Sequence, residues 1–248
     1  FEILPSKSRI YAGEPVRLDF VWKCALPVGQ LRDFRLSPRL FNDASVSIVV
    51  PRSTAPEDEQ FGMPVGGRRV IARRILGPDT KAGLMGEVRF SIFARFEKSG
   101  TVDLTRTRLL CSRMLSQHSQ SNQYAAYFNN GLFELADRSV QYEKIEAFST
   151  PVSLEVLPLP EKGREESFSG LFSPKSIEVS VTPDSMEVGQ LMEIRVDILS
   201  DAASEMLELP SLDRQSSLRN RFWVGKDTNE IWRRDGRSFV LRARPLSV

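Results

Sequence analysis

Cys24, Cys111 and His118 are the side chains best suited to nucleophilic or metal chemistry, and their placement argues against both. His118 is the single histidine, in the polar run Ser116-Gln117-His118-Ser119-Gln120, far in sequence from either cysteine. One imidazole leaves no basis for metal centres with several histidines, and most histidine-based triads need a nearer nucleophile. Paired carboxylates that cleave glycosides need only meet in space. Here Glu57-Asp58-Glu59 and Glu165-Glu166 fall in breaker-rich or linker-like stretches and read as solvated loop charges. No Gly-x-x-x-x-Gly-Lys-Ser/Thr, Gly-x-Gly-x-x-Gly or Gly-x-Ser-x-Gly pattern occurs, so neither a phosphate-cradling loop nor a nucleophile elbow is indicated. The expectation is a protein that is not an enzyme and uses no cofactor or metal.

Residues suited to binding are more informative. Tyr124, Tyr127, Phe128 and Phe133 cluster in a stretch without clear period; they either anchor a protein partner or cover one end of a core. Arg68-Arg69 and Arg73-Arg74 flank Val70-Ile71, a pattern of a strand or strand edge carrying basic residues, with an anion-binding face as the alternative. Phe222-Trp223-Val224 and Ile231-Trp232-Arg233 bracket a polar turn, which predicts a hairpin with one core tryptophan; sugar stacking on Trp223 or Trp232 is the rival reading. Cys24 and Cys111 suit either buried free thiols or a disulfide joining two sheets.

These residues need elements to hold them. The chain has 248 residues, 41% hydrophobic and 27% charged, with a net charge of +2, the composition of an ordinary globular protein. So balanced a charge points to no nucleic acid and no polybasic membrane surface. No apolar run reaches the ~18 residues of a membrane-spanning helix. The start at Phe1 and the end at Arg244-Pro245-Leu246-Ser247-Val248 read as processing or proteolysis boundaries, with targeting segments outside them.

The dominant periodicity is two, the signature of half-buried strands. Val16, Leu18, Phe20 and Trp22 alternate with Arg17, Asp19 and, past Val21, Lys23, and Cys24 continues the inward parity. Val46, Ile48 and Val50 repeat the pattern. Val88, Phe90, Ile92, Ala94 and Phe96 form the clearest run; Lys98-Ser99-Gly100 then predicts a turn into an antiparallel partner strand from Thr101 to Thr105. Val152, Leu154 and Val156 close the set. Residues 55–67 are breaker-rich and read as loop, and only Asn122–Phe128 and Asp137–Lys144 suggest a turn or two of helix.

Leu157-Pro158-Leu159-Pro160 ends the last of these strands. After a polar linker, Ile177, Val179 and Val181 start a new alternation. The opening around Gly13-Glu14-Pro15-Val16-Arg17-Leu18 returns as Gly189-Gln190-Leu191-Met192-Glu193-Ile194, an internal repeat. The expected architecture is all-β: tandem immunoglobulin-like β-sandwich domains over residues 1–158 and 175–248, joined by a linker over 159–174. The second copy, at ~70 residues against the usual ~100, is expected to lack its last strands.

The junction carries a resemblance. Val156-Leu157-Pro158-Leu159-Pro160, Gly163, Ser167-Phe168-Ser169-Gly170 and then Ile177-Glu178-Val179 and Val188-Gly189-Gln190 resemble the junction between immunoglobulin-like domains in BatD, the oxygen-tolerance family of bacterial envelope proteins. Gly13-Glu14-Pro15-Val16, Lys98-Ser99-Gly100-Thr101 and the run from Phe239 to Pro245 add to it. Leu171-Phe172-Ser173-Pro174 departs from the family's usual continuation, and residues 113–130 look like an insertion. The resemblance implies a non-catalytic scaffold or adaptor on the periplasmic face of a bacterial membrane. It also implies a membrane anchor outside this sequence, von Willebrand factor A-type membrane proteins as partners, and a link to oxygen tolerance or envelope stress. A carbohydrate-binding or adhesive module of a surface protein is the alternative.

Overall fold

The computed structural model describes residues 1–26, 31–75, 86–117, 140–164, 166, 168–209, 211–233 and 236–246. Two hydrophobic cores form, one drawn from residues between Ile3 and Val156 and the other from residues between Met192 and Ala243. The fold is all-β with curled sheets. Among the described residues the longest α-helix, α1 (Ser216–Arg219), has four residues.

Twelve strands build the first part: β1 (Glu2–Pro5), β2 (Arg9–Tyr11), β3 (Pro15–Cys24), β4 (Leu31–Leu36), β5 (Val46–Val49), β6 (Gln60–Val65), β7 (Arg68–Ile75), β8 (Gly86–Phe96), β9 (Gly100–Asp103), β10 (Arg108–Gln117), β11 (Val140–Phe148) and β12 (Ser153–Leu157). Their main sheet runs β1-β3-β8-β7-β6-β4-β10-β11, with β5 also on β8; β2-β12-β9 forms a second, smaller sheet. The alternation of β3 and β8 has the expected result. Val16, Leu18, Phe20 and Trp22 face Ala94, Ile92, Phe90 and Val88 in register, all eight are buried, and Phe20 stacks on Phe90 with centroids 4.6 Å apart.

Four strands build the rest: β13 (Ser176–Thr182), β14 (Met192–Leu199), β15 (Phe222–Trp232) and β16 (Gly236–Pro245), in the order β13-β14-β16-β15. This reproduces the order β1-β3-β8-β7 of the first sheet. Met192, Ile194 and Val196 face Ala243, Leu241 and Phe239 in register, as Val16, Leu18 and Phe20 face Ala94, Ile92 and Phe90. The repeat read from the sequence is therefore also a repeat of strand pairing.

Four expectations are corrected. The strand after Lys98-Ser99-Gly100 does not return along β8; β9 pairs with β12. Both edges of β8 are taken, one by β3 and the other by β7 and β5, so the chain crosses to the other sheet. Residues 60–65, read as loop, form β6, with Met63 and Val65 buried. The stretch read as a short helix from Asp137 to Lys144 holds the start of β11, whose ladder with β10 runs from Val140 to Phe148. Phe222-Trp223-Val224 and Ile231-Trp232 are not two arms of a hairpin: both lie in β15, where an irregularity between Val224 and Thr228 absorbs the polar residues.

Candidate interaction surface

Strand β11 lies at the end of the main sheet, paired along one side with β10. Its inward side chains Ile145 and Ala147 pack against the first core, and on β10 Leu109 and Cys111 are buried. The period of two then turns Tyr142, Lys144, Glu146 and Phe148 outward. Tyr142 and Phe148 are 56% and 54% exposed, with Lys144 and Glu146 between them, and Leu115 on β10 is 52% exposed; among the described residues the other edge of β11 joins no ladder. An unpaired edge offers a row of backbone donors and acceptors to any extended segment laid beside it.

The base of this hairpin is fixed by a buried polar cluster. The Thr107 amide donates to Ser149 Oγ at 3.0 Å, Ser149 Oγ donates to the Leu104 carbonyl at 3.3 Å, and the Ser149 amide donates to the Thr107 carbonyl at 2.9 Å. Farther along, Arg108 pairs with Glu146 and Arg113 with Glu143 across the two strands. A small hydroxyl residue flanking each strand was the sequence signal for this anchor, and no spacing rule marks it. The expected contact residues Tyr124, Tyr127, Phe128 and Phe133 lie outside the described residues, as does His118; the chain between β10 and β11 carries them.

Cys24, at the end of β3, and Cys111, on β10, are buried free thiols. Burial pushes the Cys111 thiol up to about 11, with Cys24 adding to the rise. Burial also raises Cys24, offset in part by the Leu26 carbonyl, which accepts its S–H at 3.3 Å. A thiol held protonated is a poor nucleophile at neutral pH.

The arginines of β7 divide between two faces and do not converge. Arg69 and Arg73 point away from the core and Arg68 and Arg74 flank buried Val70 and Ala72. Arg73 is paired with Glu59, Arg68 Nη1 donates to the Ile48 carbonyl at 3.0 Å, and Arg74 sits 4.8 Å above the Phe61 ring. Strand β7 lies between β6 and β8, and Arg73–Ile75 pair with β8, so Arg73 and Arg74 guard no edge.

Neither Trp223 nor Trp232 is a core residue; they are 44% and 52% exposed. Trp223 stands opposite Arg244 and Trp232 opposite Arg237, positions of opposite parity on β16 and hence on opposite faces of the sheet. Each ring is covered by its own cation, Arg244 at 5.2 Å and Arg237 at 3.8 Å. They do not form one stacking platform.

The linker is docked on both sides. Leu171 packs against the second core while its neighbour Phe172 stacks on Tyr11 at 6.4 Å and meets the edge of Phe168 at 5.6 Å. Arg95 Nη1 binds Glu208 Oε1 at 2.8 Å, and Ser169 Oγ donates to the Glu208 carbonyl at 3.3 Å.

Among the described residues no group of three or more His, Cys, Asp or Glu side chains is arranged to hold a metal ion, and no helix is long and apolar enough to cross a membrane. What fold and surface define is an all-β protein in which, among the described residues, β11 ends the main sheet and exposes Tyr142 and Phe148. Comparison with family models, curated proteins and solved structures finds no match.

Proposed function

We propose that this chain is a non-catalytic interaction scaffold of a bacterial cell envelope, a tandem of immunoglobulin-like sandwiches of the BatD type, which docks a protein partner along the β10–β11 hairpin. The observation that carries the reading is β11: a nine-residue strand that, among the described residues, is paired along one edge only, with Tyr142 and Phe148 exposed on one face. Edge addition supplies affinity through backbone hydrogen bonds, and alternate side chains supply specificity. The repeated strand order and register support the tandem. The sheet β1-β3-β8-β7, repeated as β13-β14-β16-β15, matches one sheet of an immunoglobulin sandwich, where first, second, fifth and fourth strands are neighbours.

On this reading the partner is a membrane protein of the von Willebrand factor A type, met on the extracytoplasmic side, and the physiological setting is oxygen tolerance or envelope stress. On the same reading the contacts of Phe172 with Tyr11 and of Glu208 with Arg95 hold the two units together.

The test is affinity purification of the native protein from membranes of its host, beside a Tyr142→Lys/Phe148→Lys variant shown by circular dichroism to be folded. The expected result is a von Willebrand factor A-type partner that co-purifies with the native protein and is lost with the variant. Retention of the partner by the variant removes β11 as the contact. Retention of glycans without any protein partner replaces the scaffold reading with the carbohydrate module.

A further inference from the structure

The inner face of the second sheet is buried on β14 and β16 but, among the described residues, open on β13, whose counterpart β1 carries the buried Ile3. On β13, Ile177, Val179 and Val181 are 49%, 62% and 41% exposed, and with Met192, Ile194 and Val196 of β14 they line an apolar groove of about 830 Å³. An exposed apolar face of this kind marks an unfilled contact in a folded protein. In the first part, the buried residues of β1-β3-β8-β7 share one core with side chains of β4 and β6, among them Phe34 and Met63, and of later strands and their connections, among them Leu104, Leu109, Leu154 and Val156.

A second observation concerns Leu207. Leu31 and Leu207 stand 18 residues after the turn glycines Gly13 and Gly189, respectively, and both are buried. Leu31 opens β4, which pairs with β10 through Leu31–Arg113 and Leu36–Leu109. Leu207 has extended backbone angles, yet residues 207–209 join no ladder among the described residues. Among the described residues the second part thus holds an extended segment without a ladder partner, its Leu207 carbonyl accepting from Arg237 Nη1 at 2.8 Å, beside a groove open over β13.

We propose that this face seats a second β-layer of the same polypeptide, equivalent to β9–β12, whose first long strand pairs with the segment around Leu207 as β10 pairs with β4. The occupant follows from the repeat: four strands, their register, the turn and the position of Leu207 are all reproduced, and in the first copy side chains of the strands that follow β8 complete the core together with those of β4 and β6. Alternating apolar residues on those strands fill the groove, which the faces of β13 and β14 form with Leu209, Leu212, Leu218 and Phe222. The inference rests on the tandem-sandwich reading and is independent of the partner proposed for β11.

The experiment compares residues 1–248 with the whole protein that their gene encodes, by amide hydrogen exchange and thermal unfolding, each with and without Val179→Asp. Expected for the whole protein is protection of amides 177–181 and 207–209, with Val179→Asp lowering Tm by roughly 10 °C or more, because the charge enters a closed core. Expected for residues 1–248 is rapid exchange at 207–209 and a Tm that Val179→Asp leaves unchanged. Equal exchange at 207–209 in both proteins overturns the proposal. So does a dimer of residues 1–248 that Val179→Asp splits, which makes a second copy the occupant. Amides along the β4–β10 ladder separate the two levels: their protection with an open second groove sinks this inference alone, and their rapid exchange sinks the sandwich reading as well.

Discussion

Gly13 and Gly189 occupy one position in two copies of the same turn: each has φ of 84°. Each donates its amide to the last residue of the neighbouring strand, Phe96 at 2.8 Å and Pro245 at 3.2 Å. The next residue completes the turn in both copies. Glu14 and Gln190 accept the Tyr11 and Glu187 amides on their side chains, at 2.9 Å and 3.1 Å, and donate their own amides to the carbonyls of the same residues.

A side chain at either glycine meets backbone strain before it meets a neighbour. A Cβ on Gly13 would lie 3.9 Å from Phe172, an ordinary contact, and one on Gly189 would meet nothing within 4 Å. Gly13→Ala and Gly189→Ala should each cost about 1–2 kcal/mol through the left-handed conformation alone. Urea unfolding that shows equal losses for the two variants supports their equivalence; a neutral Gly189→Ala argues that the second turn is not formed in solution.

Stability should fall in alkaline solution because of Cys111. Its thiol is raised from 9.0 to about 11 in the fold, so native and unfolded chains both keep the proton below pH 9, and between 9 and 11 only the unfolded chain releases it. The stabilisation is present below pH 9 and disappears as pH rises through 11, a loss on the order of 2 kcal/mol. Cys111→Ala should flatten that part of the stability curve relative to the native protein. Native Cys111 should also resist thiol reagents at pH 8 until denaturant is added.

Asp197 gives the opposite dependence in the second part of the chain. The Ser238 hydroxyl, then Arg195 and Arg233, hold its carboxyl below its ordinary value of 3.8. A depressed carboxylate contributes stability above that value and loses the contribution as pH falls through the folded value. Asp197→Asn should therefore be the less stable protein at pH 7, with the gap closing in acid. In a Trp22→Phe background, which removes the tryptophan of the first core, fluorescence of Trp223 and Trp232, both on β15, reports this transition in the second sheet.

Phe172→Ala should loosen the junction with little effect on either core. The ring contacts Tyr11 and Phe168 and belongs to neither core cluster, and such aromatic pairs contribute about 1 kcal/mol. Tryptic cleavage after Lys162 or Arg164, both exposed in the linker, should become several-fold faster at unchanged circular dichroism. An unchanged cleavage rate removes Phe172 as the element that docks the linker.

How far the fold could be read in advance differs from element to element. The inward parity of β3, β8 and β14 follows from period two and from the burial of what it selects; Phe20, Ile92 and Ile194 are buried as the pattern requires. On β13 the same pattern selects Ile177, Val179 and Val181, which remain exposed, because alternation states which side chains share a face and not what covers it. Strand β6 was hidden by Gly62 and Pro64, residues that punctuate loops in general, yet Pro64 is accommodated where β6 has β7 along one side and a single pair with β4 along the other. Tyr142 and Phe148 were missed as surface aromatics because exposure depends on which strand ends the sheet.

Strands β3, β8 and β14, the faces they present and the repeat of the turn at Gly13 and Gly189 were legible in the residues alone. These are local: a strand's parity and a turn's need for glycine are settled within a few residues. Three-dimensional packing set the rest: β9 leaves β8 for β12, β7 lies between β6 and β8, β11 ends the sheet among the described residues, and Trp223 and Trp232 part to opposite faces. Each of these depends on which strand edges are already occupied when a segment arrives, a property of distant neighbours that no stretch of sequence contains.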